Sequence, residues 1–152
     1  MSEEKAKELG FTPKAEVVDF VFTGQSLEKE LLLGPAYAVS KLLKRQEMEL
    51  KDIDVIEFHE AFAGQILSNL KALASDEFAK ENLGRVQAVG TIAMDKFNLW
   101  GGSLSIGHPF GATGARITTT TANRLQQEGG TYGLLAACAA GAHGHAMLLK
   151  KR

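Results

Sequence analysis

Short apolar stretches with period-two alternation take turns along this chain with segments whose apolar residues recur every three or four positions, and that order constrains the fold most. Val17-Val18-Asp19-Phe20-Val21-Phe22 reads as a strand in which Val18, Phe20 and Phe22 share one face, and that face is expected in the core. Gly34-Pro35 opens a helix at the position where proline is tolerated. Val39, Leu42 and Leu43 lie on its apolar side, and Lys44 and Arg45 near its negative end. Ile53 to Phe58 is a second strand. It runs straight into a helical pattern of Phe62, Ile66, Leu70 and Leu73, with His59 at the junction. Residues 75–98 read as polar and irregular. A helix follows over about 112–127, stopped by Gly129-Gly130, although the β-branched run Thr118 to Thr121 works against it. Tyr132 to Cys138 and His143 to Lys150 close the chain as two strands. At the other end Ser2 caps a short helix with Glu3 and Glu4 in its first turn, Gly10 as its stop and Pro13 beyond. Helices between strands predict an α/β fold, a layered sheet with helices packed on it, and no linker or internal repeat interrupts residues 1–152.

Composition removes several function classes. With 45% hydrophobic and 23% charged residues, 152 residues bury one ordinary core. A formal net charge of -1 gives no basic field, so neither nucleic acid nor an acidic lipid surface is an expected partner. The single cysteine forms no internal disulfide and points to a reducing compartment. The N-terminus is charged and acidic, unlike a signal or transit peptide, and no apolar run reaches membrane-spanning length.

The residues that carry chemistry gather where strands end. His59 follows one strand, His108 lies in the loop Gly107-His108-Pro109-Phe110-Gly111-Ala112-Thr113-Gly114, and Cys138 ends another strand before Ala139-Ala140-Gly141-Ala142-His143-Gly144-His145. Ligands of α/β sheets collect at the carboxyl ends of strands, which predicts that the three converge. Pro109 holds His108 extended, while Gly107, Gly111 and Gly114 let a substrate approach closely. A thiol and an imidazole on small residues suit acyl transfer, and backbone N–H groups freed around Gly141 and Gly144 suit an oxyanion. The same residues also read as a capped loop histidine, a buried core thiol and a hydrogen-bonded helix-start histidine. Glu60 reads as favouring the N-terminus of the helix after it. His143 and His145 point to one face but lack a third ligand at suitable spacing, so no metal site is assigned. The glycine loop lacks the Gly-Lys-Ser/Thr ending of a phosphate loop.

Taken in order and spacing, His59-Glu60-Ala61-Phe62, Gly107-His108-Pro109 with Gly111 and Gly114, and Cys138-Ala-Ala-Gly-Ala-His-Gly-His-Ala resemble the three signature blocks in the C-terminal half of thiolases. The resemblance covers nearly the whole chain. His59, where many thiolases have Asn, and Asn98-Leu99-Trp100-Gly101-Gly102-Ser103 are similar to the 3-ketoacyl-CoA branch that includes trifunctional β subunits and bacterial relatives.

The resemblance implies a thiolase-like C-terminal half, a mixed β-sheet with helices on both faces, spanning 1–152 with residues 1–14 the end of a preceding loop region. It implies that His108 activates a nucleophilic cysteine and donates to the thioester oxygen, that His59 holds a water completing this oxyanion hole, and that Cys138 is the acid/base. Ala140, with Gly107 and Gly141, would line the substrate site, the Ala140 N–H helping to form a second oxyanion hole. Substrates would be 3-ketoacyl-CoA and CoA, with no separate cofactor, in fatty-acid β-oxidation. The whole enzyme would be a homodimer or larger, assembled with a hydratase/dehydrogenase α subunit, in the mitochondrial matrix of a eukaryote or in bacterial cytoplasm. The chain departs from the wider family at Ala139 and Ala140, where many thiolases have glycine, and from the branch at Ala142 and His143, where added bulk would narrow the acyl pocket, and it departs further by absence. The chain holds no second cysteine and no CoA-holding loop segment, so it is expected to be inactive alone, and Met1 reads as the start of an excised piece. A non-catalytic thiolase-like module that binds acyl-CoA or a partner stays open as an alternative, as does a small metal-binding protein using Cys138, His143 and His145.

Overall fold

Period-two and period-3.6 patterns become four strands and six helices in the computed structural model, which describes all residues 1–152. In chain order these are α1 (Glu3–Glu8), β1 (Ala15–Gly24), α2 (Gly34–Arg45), β2 (Val55–Phe58), α3 (Ala63–Leu73), α4 (Asp76–Asn82), α5 (Ser103–Ile106), α6 (Thr113–Glu128), β3 (Tyr132–Ala139) and β4 (His143–Lys151). The strands form one sheet in the order β1-β4-β3-β2. β2 runs parallel to β3, and the other pairs are antiparallel, so the sheet is mixed as expected.

Alternation along the strands divides the core in two. Val21, Ile56, Phe58, Leu134, Ala136 and Leu148 face α2 and α3, where Val39, Leu42, Leu43, Ile66 and Leu73 meet them. Val55, Leu135 and Leu149 point the other way, onto Ile117 and Leu125 of α6. Helices therefore cover both faces. α2 comes very close to the start of β4: a Cβ on Gly144 would lie 2.2 Å from the Gly34 carbonyl oxygen, and one on Gly34 2.4 Å from that of His143. Only a glycine pair permits that contact, and it fixes the end of the sheet that carries Cys138, the register partner of Gly144.

Several expectations change. Phe20 and Phe22 are 51% and 68% exposed, while Val21 between them is buried. The register shifts between Val17 and Asp19, so Val21 takes the core side, and α6 meets this edge strand only at its start, beside Lys14 and Ala15. β2 begins at Val55 because the preceding residues Leu50–Asp52 form a tight turn closed by the Ile53 amide on the Leu50 carbonyl, while the Asp54 carboxylate accepts from the Thr131 and Tyr132 amides at 2.7 and 3.0 Å. Phe62 precedes the first turn of α3 and is exposed. The stretch read as irregular contains α4, whose start the Ser75 hydroxyl caps by accepting from the Phe78 amide, with Asp76 and Glu77 in the first turn. The threonine run does stay helical. Thr118 and Thr121 donate their hydroxyls back to the Gly114 and Ile117 carbonyls, both at 2.8 Å, and left-handed Gly129 ends the helix.

Candidate active site

His59 leaves β2 one residue past its end and is almost wholly buried. Its backbone N–H donates to the Ala136 carbonyl at 2.8 Å, extending the pairing with β3 and fixing the ring at the sheet's carboxyl edge. The ring's Nδ1 lies 2.8 Å from the Ser103 hydroxyl, which also accepts from Arg116 Nη2 at 2.8 Å. Burial, then the neighbouring His108 and the Arg116 guanidinium, push its pKa from 6.5 down to about 4, against an opposing pull from Glu60.

Ser103 is delivered to His59 by a loop that Asn98 and Glu60 pin down. Asn98 adopts a left-handed backbone (φ 47), donates from Nδ2 to the Phe58 carbonyl and Glu60 Oε1, and accepts the Phe58 amide on Oδ1. The loop backbone follows the free edge of β2, with the Ile56 amide donating to the Lys96 carbonyl and the Asn98 amide to the Ile56 carbonyl. The other oxygen of Glu60 accepts the Leu104 amide at 3.0 Å. Glu60 therefore tethers the start of α5 and does not serve the N-terminus of α3. A Cβ on Gly102 would sit 2.1 Å from Glu60 Oε2, so the carboxylate fits only because residue 102 is glycine.

His108 lies beside His59, ring centroids 4.1 Å apart. It is exposed, and its other ring neighbour is Phe110, at 4.6 Å. His108 Nδ1 is 2.6 Å from the Thr113 hydroxyl at the start of α6, and the Pro109 carbonyl lies 3.3 Å from the same hydroxyl. That hydroxyl can accept from the ring or donate to it. His108 Nε2 can thus take up and release a proton while Nδ1 keeps its partner.

Cys138 ends β3 on the α2 face and is nearly buried, which pushes its thiol above the ordinary cysteine range. The hairpin after it turns through left-handed Gly141 (φ 87) and Ala142 (φ 56), and the backbone N–H groups of Ala140 and Gly141 donate to no protein acceptor. Gly107 is also left-handed (φ 90) and turns the chain from α5 to His108. Of the residues read from the sequence, His59 and His108 are brought into contact. No hydrogen bond joins Cys138 to either ring. His145 Nδ1 donates to the Val21 carbonyl at 3.0 Å and the ring stacks on Phe22, while His143 is exposed. The sequence reading missed Ser103, Thr113 and Arg116 as partners of the two histidines. Thr113 and Arg116 lie within one turn of the His108 block, and that proximity was the available signal.

A thiol and unpaired amides at the carboxyl end of the sheet, with two imidazoles in contact beside them, form the candidate site. The chain belongs to the thiolase family: residues 11–151 match the family's C-terminal domain. It is 57% identical over 150 residues to the mitochondrial trifunctional enzyme subunit beta of Bos taurus, covering 99% of this chain and 32% of that protein. To a probable 3-ketoacyl-CoA thiolase of Caenorhabditis elegans it is 54% identical, covering 34% of it. Its fold is similar to the crystal structure of human mitochondrial 3-ketoacyl-CoA thiolase in complex with CoA, with TM-score 0.83, 32% identity, and coverage of 99% of this chain and 34% of that one. The chain thus spans about a third of the length of the relatives it matches. No helix is long and apolar enough to cross a membrane.

Proposed function

We propose that residues 1–152 supply the C-terminal half of a 3-ketoacyl-CoA thiolase that cleaves acetyl-CoA from 3-ketoacyl-CoA in fatty-acid β-oxidation, with residues 1–14 the end of a preceding loop region. The observation that carries the reading is the contact of His59 and His108, each on its own hydroxyl, at the strand edge that also bears Cys138. On this reading the substrates are 3-ketoacyl-CoA and CoA, and no further cofactor takes part. The whole enzyme is a dimer or larger that works with a hydratase/dehydrogenase subunit, in the mitochondrial matrix if its source is a eukaryote. The names of the bovine relative and of the CoA-bound human structure support the compartment and the substrate.

The reaction needs a nucleophilic cysteine from outside this chain, whose one cysteine is Cys138. His108 Nε2 takes that cysteine's proton, and the thiolate attacks the substrate's C3 ketone carbon. His59 and a water it holds stabilise the oxygen that becomes negative. The C2–C3 bond then breaks and its electron pair passes to C2 of the leaving acetyl-CoA. The free Ala140 N–H, with Gly141 beside it, steadies that enolate where Gly107 also lines the substrate, and the Cys138 thiol gives C2 its proton. The acyl group now sits on the nucleophilic cysteine. A CoA thiol gives its proton to the Cys138 thiolate, attacks the acyl-cysteine and leaves as shortened acyl-CoA, and the first sulfur departs as a thiolate that takes its proton back from His108. A raised thiol pKa suits Cys138 to this role, because it stays protonated until a carbanion is there to receive the proton.

The test is CoA-dependent loss of 3-ketoacyl-CoA. The chain alone should show none, and the chain joined to the N-terminal two-thirds of the bovine relative should show turnover that Cys138→Ser abolishes. Turnover by the 152-residue chain alone, or full activity of the Cys138→Ser fusion, would refute the two-sulfur assignment.

A further inference from the structure

Arg116 carries the most unusual side chain near the site. Its Nε and Nη1 are buried without a hydrogen-bond partner, and its one protein hydrogen bond runs from Nη2 to the Ser103 hydroxyl. A half-buried guanidinium with two buried donors unmet and a single neutral partner is costly unless its charge and its donor act on something. What they act on is one atom further along, His59 Nδ1.

Hydroxyl bookkeeping gives the direction. A guanidinium only donates, so Ser103 Oγ is the acceptor toward Arg116. The hydroxyl has one proton left to place, and His59 Nδ1 at 2.8 Å is the one acceptor it has besides water. If Nδ1 carried a proton instead, the buried Ser103 hydroxyl would lose its acceptor. A doubly protonated ring would add a second cation beside Arg116. We propose that Ser103 and Arg116 are positioning residues that hold His59 as the neutral imidazole with its proton on Nε2, a fixed donor aimed away from the Ser103 loop. The charged groups around that ring are Arg116 from α6, His108 from its loop, Glu60 next in the chain and Glu57 two residues earlier on β2, whose carboxyl also feels Arg116. The inference rests on the role proposed above for His59, and its test uses no turnover, so the two readings can fail separately.

The experiment is two-dimensional nitrogen-15 NMR of the His59 ring in the 152-residue chain. In the wild type, Nε2 should be the protonated nitrogen and Nδ1 should show the shift of a hydrogen-bond acceptor. Ser103→Ala should erase that acceptor shift and raise the Nδ1-protonated form about fivefold or more, because the unsatisfied hydroxyl no longer disfavours it. Ser103→Thr should restore the wild-type pattern. Arg116→Gln keeps a donor and drops the charge, so it should keep the tautomer and let the ring titrate at higher pH. A wild-type ring protonated on Nδ1 would overturn the proposal without any variant. So would an unchanged Nδ1 signal in Ser103→Ala or an unchanged titration in Arg116→Gln.

Discussion

Replacing Arg124 by methionine should give a stability loss whose size depends on pH, and the structure sets the slope. Arg124 and Glu57 are buried to 0% and 1% side-chain exposure and joined by an Nη1 to Oε1 bond of 2.8 Å. Arg124 also donates to both oxygens of Glu128 and to the Lys96 carbonyl. Burial already raises the Glu57 carboxyl above its ordinary range, and the hydrogen bond and charge of Arg124 are the main influences holding it down. Without Arg124, Oε1 joins Oε2 as an unpartnered buried oxygen, and the cheapest folded state has Glu57 protonated. Protonating a carboxyl whose ordinary pKa is about 4.3 costs about 1.4 kcal/mol per pH unit above that value, hence about 3.7 kcal/mol at pH 7 and about 1 kcal/mol at pH 5. In the variant the folded state holds a proton that the unfolded chain has released, so its stability falls as pH rises. Urea unfolding of both proteins at pH 5, 6 and 7 should give a difference that widens with pH, by up to about 2.7 kcal/mol across that range less the smaller slope of the same sign from the raised wild-type Glu57, on top of a constant packing change. If the variant is unfolded at pH 7, acidification to pH 5 should refold it. A penalty that stays flat with pH would refute the reasoning. Glu57 stands two residues before His59 and Arg124 two turns after Arg116, so this pair also fixes how β2 and α6 face each other at the site.

His59 has the opposite pH signature. Its folded pKa of about 4 lies below the ordinary 6.5, so between those values the unfolded chain binds a proton that the folded chain does not, and stability falls on acidification by about 1.4 kcal/mol per unit. His59→Asn should remove that slope, its urea midpoint converging on the wild type from pH 6.5 toward pH 4.5; parallel curves would sink the assignment. Gly102→Ala should force the Glu60 carboxylate off the Leu104 amide and cost about 1–3 kcal/mol in urea unfolding. The His59 Nδ1 signal should move with it, and a variant as stable as the wild type would show that the loop has another anchor.

The alternation of strands and helices and the positions of His59 and Cys138 after strands and of His108 in a glycine loop were legible because each depends on a pattern local to the chain, whereas the mixed pairing of the sheet was legible only through the family resemblance. Helix α2 followed from Gly34-Pro35 and its apolar stripe, and α6 held despite its threonines because they could bond back to their own turn. What was not legible depends on contacts between distant segments. Ser103 is 44 residues from His59, and nothing in either segment's pattern names the other as a partner. Glu60 looked like a helix-start carboxylate, yet the loop carrying Asn98 and Leu104 folds back onto it. Phe20 and Phe22 looked like core because alternation says which residues share a face, but not which face another element covers. The shift at Val17/Asp19 and the reach of α6 decide that.

Two imidazoles 4.1 Å apart pose a problem that one of them alone would not, since a proton on either disfavours a proton on the other. The reaction proposed for this site asks for different things from each, a donor that never changes and a base that must. Nothing in the rings themselves distinguishes them. Their hydroxyl partners do: Ser103 is committed by Arg116 to giving its proton to His59, while Thr113 can accept from His108 or donate to it. His59 is also the buried ring and the one beside the guanidinium, so an incoming proton is repelled there. Burial of one ring and an arginine on the second turn of α6 together make two neighbouring histidines unequal.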